Sequence, residues 1–365
     1  MTRFFGLGCF CLLLGSIHGI SAPLTPPPKP PTLEKVNEEL LAKSALLMDP
    51  LTGQVLYARN IDDTFPPAST VKLMTALLVY EKTGGQGVVT VAPEDTRVEP
   101  STVPLRPGEK VPISDLLRSI IIGSDNDSAM ALARTISGSV DRFVTEMNSQ
   151  AAKLGMLRTR FANPHGLPGQ PQKTTAHDLM VLFNSFLAKS ELRQIAQTQI
   201  YNLRTAIGLQ HMRNHNKLLG VYPGMGPAKT GWTYEARHTY AASATRNGRE
   251  LRLTLLKSAN KWQDTRLLFD YGFANLPPVP PALLQSSLPP TAKSAPSVEP
   301  EEKPVEVVIP PEPILYTIRR GDSLTTIARR FNVGVEDILL LNPMDDPDLL
   351  VPGQLLRVPV KPRTP

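Results

Sequence analysis

The sequence predicts an α+β fold: an antiparallel sheet with helices packed on it and a helical lobe, followed by a small second domain. Three observations carry this. Strand-like stretches open and close the first 276 residues, with helical stretches between them. A segment from 277 to 313 is dense in proline, alanine, serine and glutamate and reads as a linker. Residues 314 to 359 then read strand, helix, helix, strand, close to the lower size limit for an unassisted core.

The chain has 365 residues, enough for two or three domains, and 41% of them are apolar. The formal net charge of +6 is mild and spread along the chain, with no long Lys/Arg run that would suggest nucleic acid. Residues 1 to 22 read as a secretory signal: Arg3 opens it, Phe4 to Leu14 is a short apolar run, and Gly19, Ser21 and Ala22 offer a cleavage region. Both cysteines, Cys9 and Cys11, fall inside it. A mature chain without them has no disulfide, thiol nucleophile or thiolate metal site, and no stable membrane anchor. Action outside the cytoplasm, in the periplasm or cell wall, is the expectation. Residues 23 to 35 form a Pro-rich tether.

The first globular domain is expected over 36 to 276. Ser44 to Asp49 and Gln54 to Ala58 look like paired strands joined by the turn Pro50-Leu51-Thr52-Gly53. Pro66-Pro67 then ends one segment, and an apolar helix begins at Ala68-Ser69. It stops at Lys82-Thr83-Gly84-Gly85, lysine in the last turn and glycine just past it. Ser114 to Ile122 reads as a second helix, broken by Gly123-Ser124-Asp125-Asn126, with a third restarting at Asp127. Further helices are expected over Asp141 to Leu154 and, capped by Thr174 or Thr175, over Ala176 to Leu187. From about Ile200 strands return: the Lys229-Thr230-Gly231-Trp232 stretch, then His238 to Ala244, the turn Arg246-Asn247-Gly248, and Leu251 to Leu256. A closing helix covers Gln263 to Phe273.

The candidate chemistry starts at Ser69-Thr70-Val71-Lys72. At a helix start, residues three apart share a face. A serine hydroxyl is a poor nucleophile until a base takes its proton, and a part-buried lysine can have its pKa lowered enough to be that base. Alone, the spacing equally describes a capping serine before a solvated lysine, and Ser258-Ala259-Asn260-Lys261 repeats it. Its companions decide. Ser69-x-x-Lys72, Ser124-Asp125-Asn126 and Lys229-Thr230-Gly231 follow in one order, at a helix start, between helices and on a strand. Lys82-Thr83-Gly84 is a second, chance version of the third motif.

On these motifs, residues 36 to 276 resemble the low-molecular-mass penicillin-binding proteins, serine-type D-Ala-D-Ala carboxypeptidases. Asn163-Pro164-His165-Gly166-Leu167, Thr175-Ala176-x-Asp178 and Asn216-Lys217-Leu218-Leu219 extend the likeness. Residues 314 to 360 resemble a βααβ LysM module, through Tyr316, Arg320-Gly321-Asp322-Ser323-Leu324, Asn342-Pro343 and Pro352-Gly353-Gln354. The resemblance implies a serine β-lactamase/penicillin-binding-protein-like fold. It implies that Ser69 attacks the carbonyl of the penultimate D-Ala and Lys72 takes its proton. Ser124 and Lys229 would pass a proton to the leaving amine. Asn126 would hold the substrate amide, and Lys229 and Thr230 the terminal carboxylate. The N–H groups of Ser69 and Trp232, beside Gly231, would form an oxyanion hole worth roughly 3 kcal/mol per donor. In the LysM unit, Gly321, Asp322, Ser323, Asn342 and Pro343 would meet glycan. The implied partners are peptidoglycan, through stem peptide and glycan chain, and β-lactams as covalent inhibitors. No cofactor and no metal are implied; the six histidines include no His-Glu-x-x-His pair, and His165 reads as a structural residue of its loop.

Two positions depart from the family's pattern. Asp125 stands where glycine is usual, and Ala236-Arg237 where an Ala-Gly pair is usual, placing a charge at the cleft edge. The family's small β-domain and C-terminal amphipathic helix are replaced by the linker and the LysM-like unit. Three other readings stay open: a D,D-endopeptidase that cuts crosslinks, a β-lactamase, and a wall-binding scaffold without activity. The β-lactamase reading needs a second base, and residues 148 to 177 contain no Asp or Glu. The intact triple of motifs argues against the scaffold.

Overall fold

The computed structural model describes residues 29–98, 103–169, 171–276, 313–319, 321–331, 333, 338, 341–342 and 350–360. The expected signal segment, all of the linker but its last residue, most of the second LysM helix and Pro343 lie outside them. The chain divides into two compact units, Met1–Pro289 and Pro290–Pro365.

In the first unit five antiparallel strands form one sheet. They are β1 (Ser44–Met48), β2 (Val55–Arg59), β7 (Met225–Thr233), β8 (Arg237–Arg246) and β9 (Arg249–Ser258), in the order β2-β1-β9-β8-β7. The sheet joins the two ends of the domain, because β1 pairs with β9 across about 200 residues of sequence: Ser44 faces Leu256 and Met48 faces Arg252. Two short hairpins stand apart from it, β3 (Val88–Thr90) with β4 (Lys110–Pro112), and β5 (Ile200–Thr205) with β6 (Gly208–Arg213).

Both faces of the sheet are covered, so its central strands are buried along their length instead of alternating in and out. Ala45, Leu47, Tyr240, Ala242, Leu253 and Leu255 pack toward α1 (Leu33–Glu39) and the closing helix α8 (Lys261–Ala274). Leu46, Ala241 and Leu256 point the other way, into the helical lobe. The axis of that lobe is α2 (Lys72–Thr83), whose residues from Lys72 to Val79 are all buried, as expected of a helix apolar on every side. Around it lie α3 (Ile113–Arg118), α4 (Asn126–Ser137), α5 (Val140–Lys153), α6 (Ala176–Leu187) and α7 (Ser190–Ala196).

Two local readings are corrected, and one hairpin is added. Helix α1 begins at Leu33, within the segment taken as tether, because Thr32 caps it and Val36 is buried. The break before α4 is only two residues long: α3 runs on through a π turn, Ser119–Gly123, and α4 starts at Asn126. Hairpin β3–β4 has no counterpart in the reading.

The second unit pairs β10 (Ile314–Thr317) with β11 (Leu355–Val358) and packs α9 (Leu324–Phe331) on them through Tyr316, Ile318, Ile327, Ala328, Ile338 and Leu356.

Candidate active site

Ser69 sits in a single 3-10 turn, Ala68–Val71, that runs straight into α2. Two prolines before it exclude an α-helical start further back. Ala68 has φ +47°, and this left-handed residue turns the chain sharply into Ser69. Lys72 follows one turn on. Its side chain is fully buried, and its Nζ lies 3.1 Å from Ser69 Oγ, 2.8 Å from Asn126 Oδ1 and 2.8 Å from the His165 carbonyl. Burial lowers the amine to about 7, partly offset by the negative charge of Asp125. The three contacts suit a neutral amine. Nζ donates to two oxygens that can only accept and stays within hydrogen-bond reach of the Ser69 hydroxyl.

The second motif enters from the end of the π turn. Ser124 is left-handed at φ +57°, which turns its hydroxyl toward the sheet, where Lys229 Nζ lies 2.9 Å away. Asp125 explains its own departure from glycine. It caps α4 by accepting the Ser128 N–H at 2.8 Å, and its other oxygen accepts the Val103 N–H at 3.0 Å. Asn126, at the first turn of α4, presents its amide oxygen to Lys72.

The third motif lies on β7, an edge strand of the sheet. Lys229 is buried and its amine is held well below the usual lysine range, first by burial and then by Lys72 and Lys261. Thr230 is buried beside it. Gly231 has a steric reason: a Cβ there would sit 2.3 Å from Thr239 Oγ1 and 2.9 Å from the Ser69 nitrogen. The strand therefore passes directly against the nucleophile's backbone. Trp232 follows with its side chain 56% exposed.

The structure thus brings Ser69, Lys72, Ser124, Asn126, Lys229, Thr230, Gly231 and Trp232 to one cleft. The two decoys fall elsewhere: Ser258 bonds Asp264 at 2.6 Å and Lys261 lies 2.9 Å from the His238 ring, while Gly84 is the left-handed stop of α2. Three further participants escaped the motif reading. The His165 carbonyl orients Lys72. Thr75 Oγ1 ties α2 to the Pro164 carbonyl at 2.7 Å. Thr239 Oγ1 donates to the Pro67 carbonyl at 2.8 Å and fixes the start of the Ser69 turn. The His165 ring accepts the Leu167 N–H at 3.1 Å and is held near 3 by burial and by Lys72, so it stays neutral.

Gly166 locks that loop against the nucleophile. It has φ +94°, and a Cβ would come within 2.0 Å of the Ala68 carbonyl oxygen. Gly166→Ala is expected to destabilise the domain by about 3 kcal/mol, because backbone must move. It should also slow penicillin acylation by misplacing Ser69. Thermal melting and labelling rates check this; an unchanged melting temperature would contradict it.

In the second unit the expected glycan residues are engaged within their own domain. Asp322 accepts from the Tyr316 hydroxyl at 2.7 Å and the Arg319 N–H at 2.8 Å. Ser323 caps α9 by accepting the Thr326 N–H at 3.2 Å. Asn342 clasps Arg357 through both its amide atoms. Gly321 makes the turn between them, at φ +90°. Gly321 and Ser323 are exposed, and Asp322 and Asn342 partly so.

Comparison with known proteins finds relatives of both units. The family model for D-alanyl-D-alanine carboxypeptidase matches residues 31–260, and the LysM domain model matches residues 316–359. The chain is 34% identical over 241 residues to D-alanyl-D-alanine carboxypeptidase DacB2 of Mycobacterium tuberculosis, covering 64% of this chain and 82% of that protein. It is 33% identical over 242 residues to D-alanyl-D-alanine carboxypeptidase DacF of Bacillus subtilis, covering 64% of this chain and 62% of that one, just under two thirds of its length. Among solved structures, a D-alanyl-D-alanine carboxypeptidase from Mycobacterium tuberculosis superposes with a TM-score of 0.63 at 33% identity, over 66% of this chain and 93% of the other.

Proposed function

Since the chain belongs to the D-alanyl-D-alanine carboxypeptidase family and carries a LysM domain, we propose that Ser69 removes the terminal D-Ala of peptidoglycan stem peptides while the LysM unit holds the enzyme at the wall. The observation that carries the catalytic part is the buried Lys72 amine, 3.1 Å from Ser69 Oγ, with its other two contacts on fixed acceptors.

Ser69 Oγ attacks the carbonyl carbon of the penultimate D-Ala, and its proton passes to Lys72 Nζ. The carbonyl oxygen becomes an oxyanion between the N–H groups of Ser69 and Trp232. When the C–N bond breaks, the leaving amine takes a proton from Ser124 Oγ, which Lys229 resupplies across 2.9 Å. Thr230 and Lys229 bind the terminal carboxylate, and Asn126 the substrate amide. Water then attacks the ester and gives up a proton that restores Lys229, while Lys72 returns its proton to the departing Ser69 Oγ. With no Asp or Glu between 148 and 177, no carboxylate of that stretch activates this water.

The expected signal at 1–22 places this work outside the cytoplasm, where peptidoglycan and β-lactams are met. Among the described residues no helix is long and apolar enough to cross a membrane. We assign the linker to 277–313, a reach of roughly 110 Å if extended at polyproline rise. A tether of that kind raises the local concentration of the catalytic domain near the wall without adding any contact.

A comparison of the full chain with one ending at residue 276 tests both halves. The truncated enzyme is expected to release D-Ala from a soluble D-Ala-D-Ala peptide within about twofold of the full chain, identified by product mass. Its co-sedimentation with insoluble peptidoglycan should fall at least about tenfold. Undiminished sedimentation would remove the LysM unit as the anchor. Loss of soluble-peptide activity would show that the tail belongs to the catalytic fold. Products cut at crosslinks, with terminal D-Ala left in place, would favour the endopeptidase reading.

A further inference from the structure

We propose that a groove beside α5, at Arg160 and Lys173, binds a short peptide through its C-terminal carboxylate, and that its occupancy speeds acylation of Ser69. The proposal goes beyond the catalytic reading, because the binding involves none of the three motifs.

The groove encloses about 540 Å³. Val144 and Asn148 of α5 line it, together with Arg160, Phe161, Ala162 and Pro171. Backbone pairing sets its charge. Arg160 and Lys173 exchange both N–H···O bonds, at 2.9 and 3.0 Å, as a directly opposed antiparallel pair. Their side chains therefore leave one face, with Cβ atoms about 5 Å apart. Both residues are exposed, and among the described residues neither has an acidic partner. The next pair, on the opposite face, is satisfied: Thr159 Oγ1 bonds Thr174 Oγ1 at 2.9 Å and Asp178 at 2.7 Å.

Like charges directly opposite one another repel. Residues 148 to 177 hold no Asp or Glu to relieve them, and Lys153 and Arg158 add further positive charge. On α5, Glu146 is held by Lys82 at 2.5 Å, and Asp141 does not line the groove. An anion between Arg160 and Lys173 turns the repulsion into two charge-assisted contacts. The planar fork of Arg160 matches a carboxylate, and the apolar walls at Val144, Ala162 and Pro171 suit a methyl side chain next to it. A peptide ending in alanine combines the two.

The groove is tied to the nucleophile. Asn148 accepts the Phe161 N–H and donates to the Phe161 carbonyl, both at 2.9 Å. The same segment runs on to the Pro164 carbonyl on Thr75, the His165 carbonyl on Lys72, and Gly166 against Ala68. Relieving the repulsion at its base firms the segment that orients Lys72, so the bound peptide is an activator.

Calorimetry on the full chain, with N-acetyl-L-Ala-L-Ala, its C-terminal amide and inorganic phosphate as probes, tests the site. The L configuration keeps the peptide from imitating a D-Ala-D-Ala end. The acid is expected to bind with a dissociation constant of about 1 mM and the amide at least about tenfold more weakly. Arg160→Gln combined with Lys173→Gln should remove the difference. Stopped-flow acylation by a chromogenic cephalosporin should rise about threefold at saturating acid in wild type and stay unchanged in the double variant. Lys173→Glu puts a carboxylate opposite Arg160 in place of the ligand. It should lose peptide binding and acylate about threefold faster without any peptide. Equal binding of acid and amide, phosphate binding as tightly as the peptide, or acid binding that survives the double variant would overturn the proposal. So would acylation that responds neither to the acid nor to Lys173→Glu. The expected pattern in a chain that hydrolyses no D-Ala-D-Ala peptide would keep the site and fail the hydrolysis reading.

Discussion

Ser69→Ala is expected to abolish covalent labelling by a fluorescent penicillin and to reduce release of D-Ala by at least about a thousandfold, with no loss of fold. Among the described residues Ser69 is the hydroxyl that lies against Lys72 Nζ. Ser124 faces Lys229 at 2.9 Å, whereas Gly231 brings β7 directly against the Ser69 backbone, so the N–H assigned to the scissile carbonyl belongs to Ser69. Ser258 is buried on Asp264 behind the sheet. The domain should stay folded because Ser69 Oγ supports no neighbour except Lys72, which keeps Asn126 Oδ1 and the His165 carbonyl. Intact-protein mass after incubation with penicillin, together with a melting curve, reads both parts. Labelling that persists in Ser69→Ala, or a modified peptide mapped to residues 258–261, would sink the assignment.

The parts of this site that were legible in the sequence are those written as short spacings. Ser69-x-x-Lys72 lies within one helical turn, and Lys229-Thr230-Gly231 lies on one strand, so local periodicity is enough to orient them. The helix over 176–187 was legible for the same reason, with Thr175 accepting the Asp178 N–H at its cap. What was not legible depends on contacts between distant segments. Nothing in residues 163–167 states that the His165 carbonyl meets Lys72, 93 positions away, or that Gly166 lies against Ala68. The left-handed Ser124 is set by the π turn before it and by Asp125 capping the helix after it, and neither shows as a hydrophobic period. Helix α1 was missed because a proline stretch precedes it and its burial on α8 is tertiary; Val36 alone marks it. In the LysM unit the motif residues were legible as a set, while the bonds that Asp322 makes to Tyr316 and Asn342 to Arg357 were not.

Lys72→Arg is expected to slow acylation by on the order of a thousandfold and to erase its pH dependence near 7, because a guanidinium cannot give up its proton to act as a base. In wild type the sign is fixed by the reaction. Neutral Lys72 accepts the Ser69 proton and protonated Lys72 cannot, so acylation rises with pH through the amine's value of about 7 and levels off above it. Below that value the competent fraction falls about tenfold per pH unit. Burial is the main cause of the lowered value, and Asp125 opposes it. Asp125→Asn removes that opposing charge and should move the midpoint of the profile to lower pH, while Asn retains an oxygen for the Val103 or Ser128 N–H. Stopped-flow acylation by a chromogenic cephalosporin between pH 5 and 9 measures the midpoint in each variant. Lys72→Arg could lose acylation merely by crowding a packed site, since the native amine already has three contacts within 3.1 Å. Lys72→Met is smaller, apolar and of similar length, so a fold that tolerates it and still fails to acylate assigns the loss to the missing base. A wild-type profile flat from pH 5 to 9, or one that falls as pH rises through 7, would mean that the lysine acts as a fixed cation and that another group takes the serine proton.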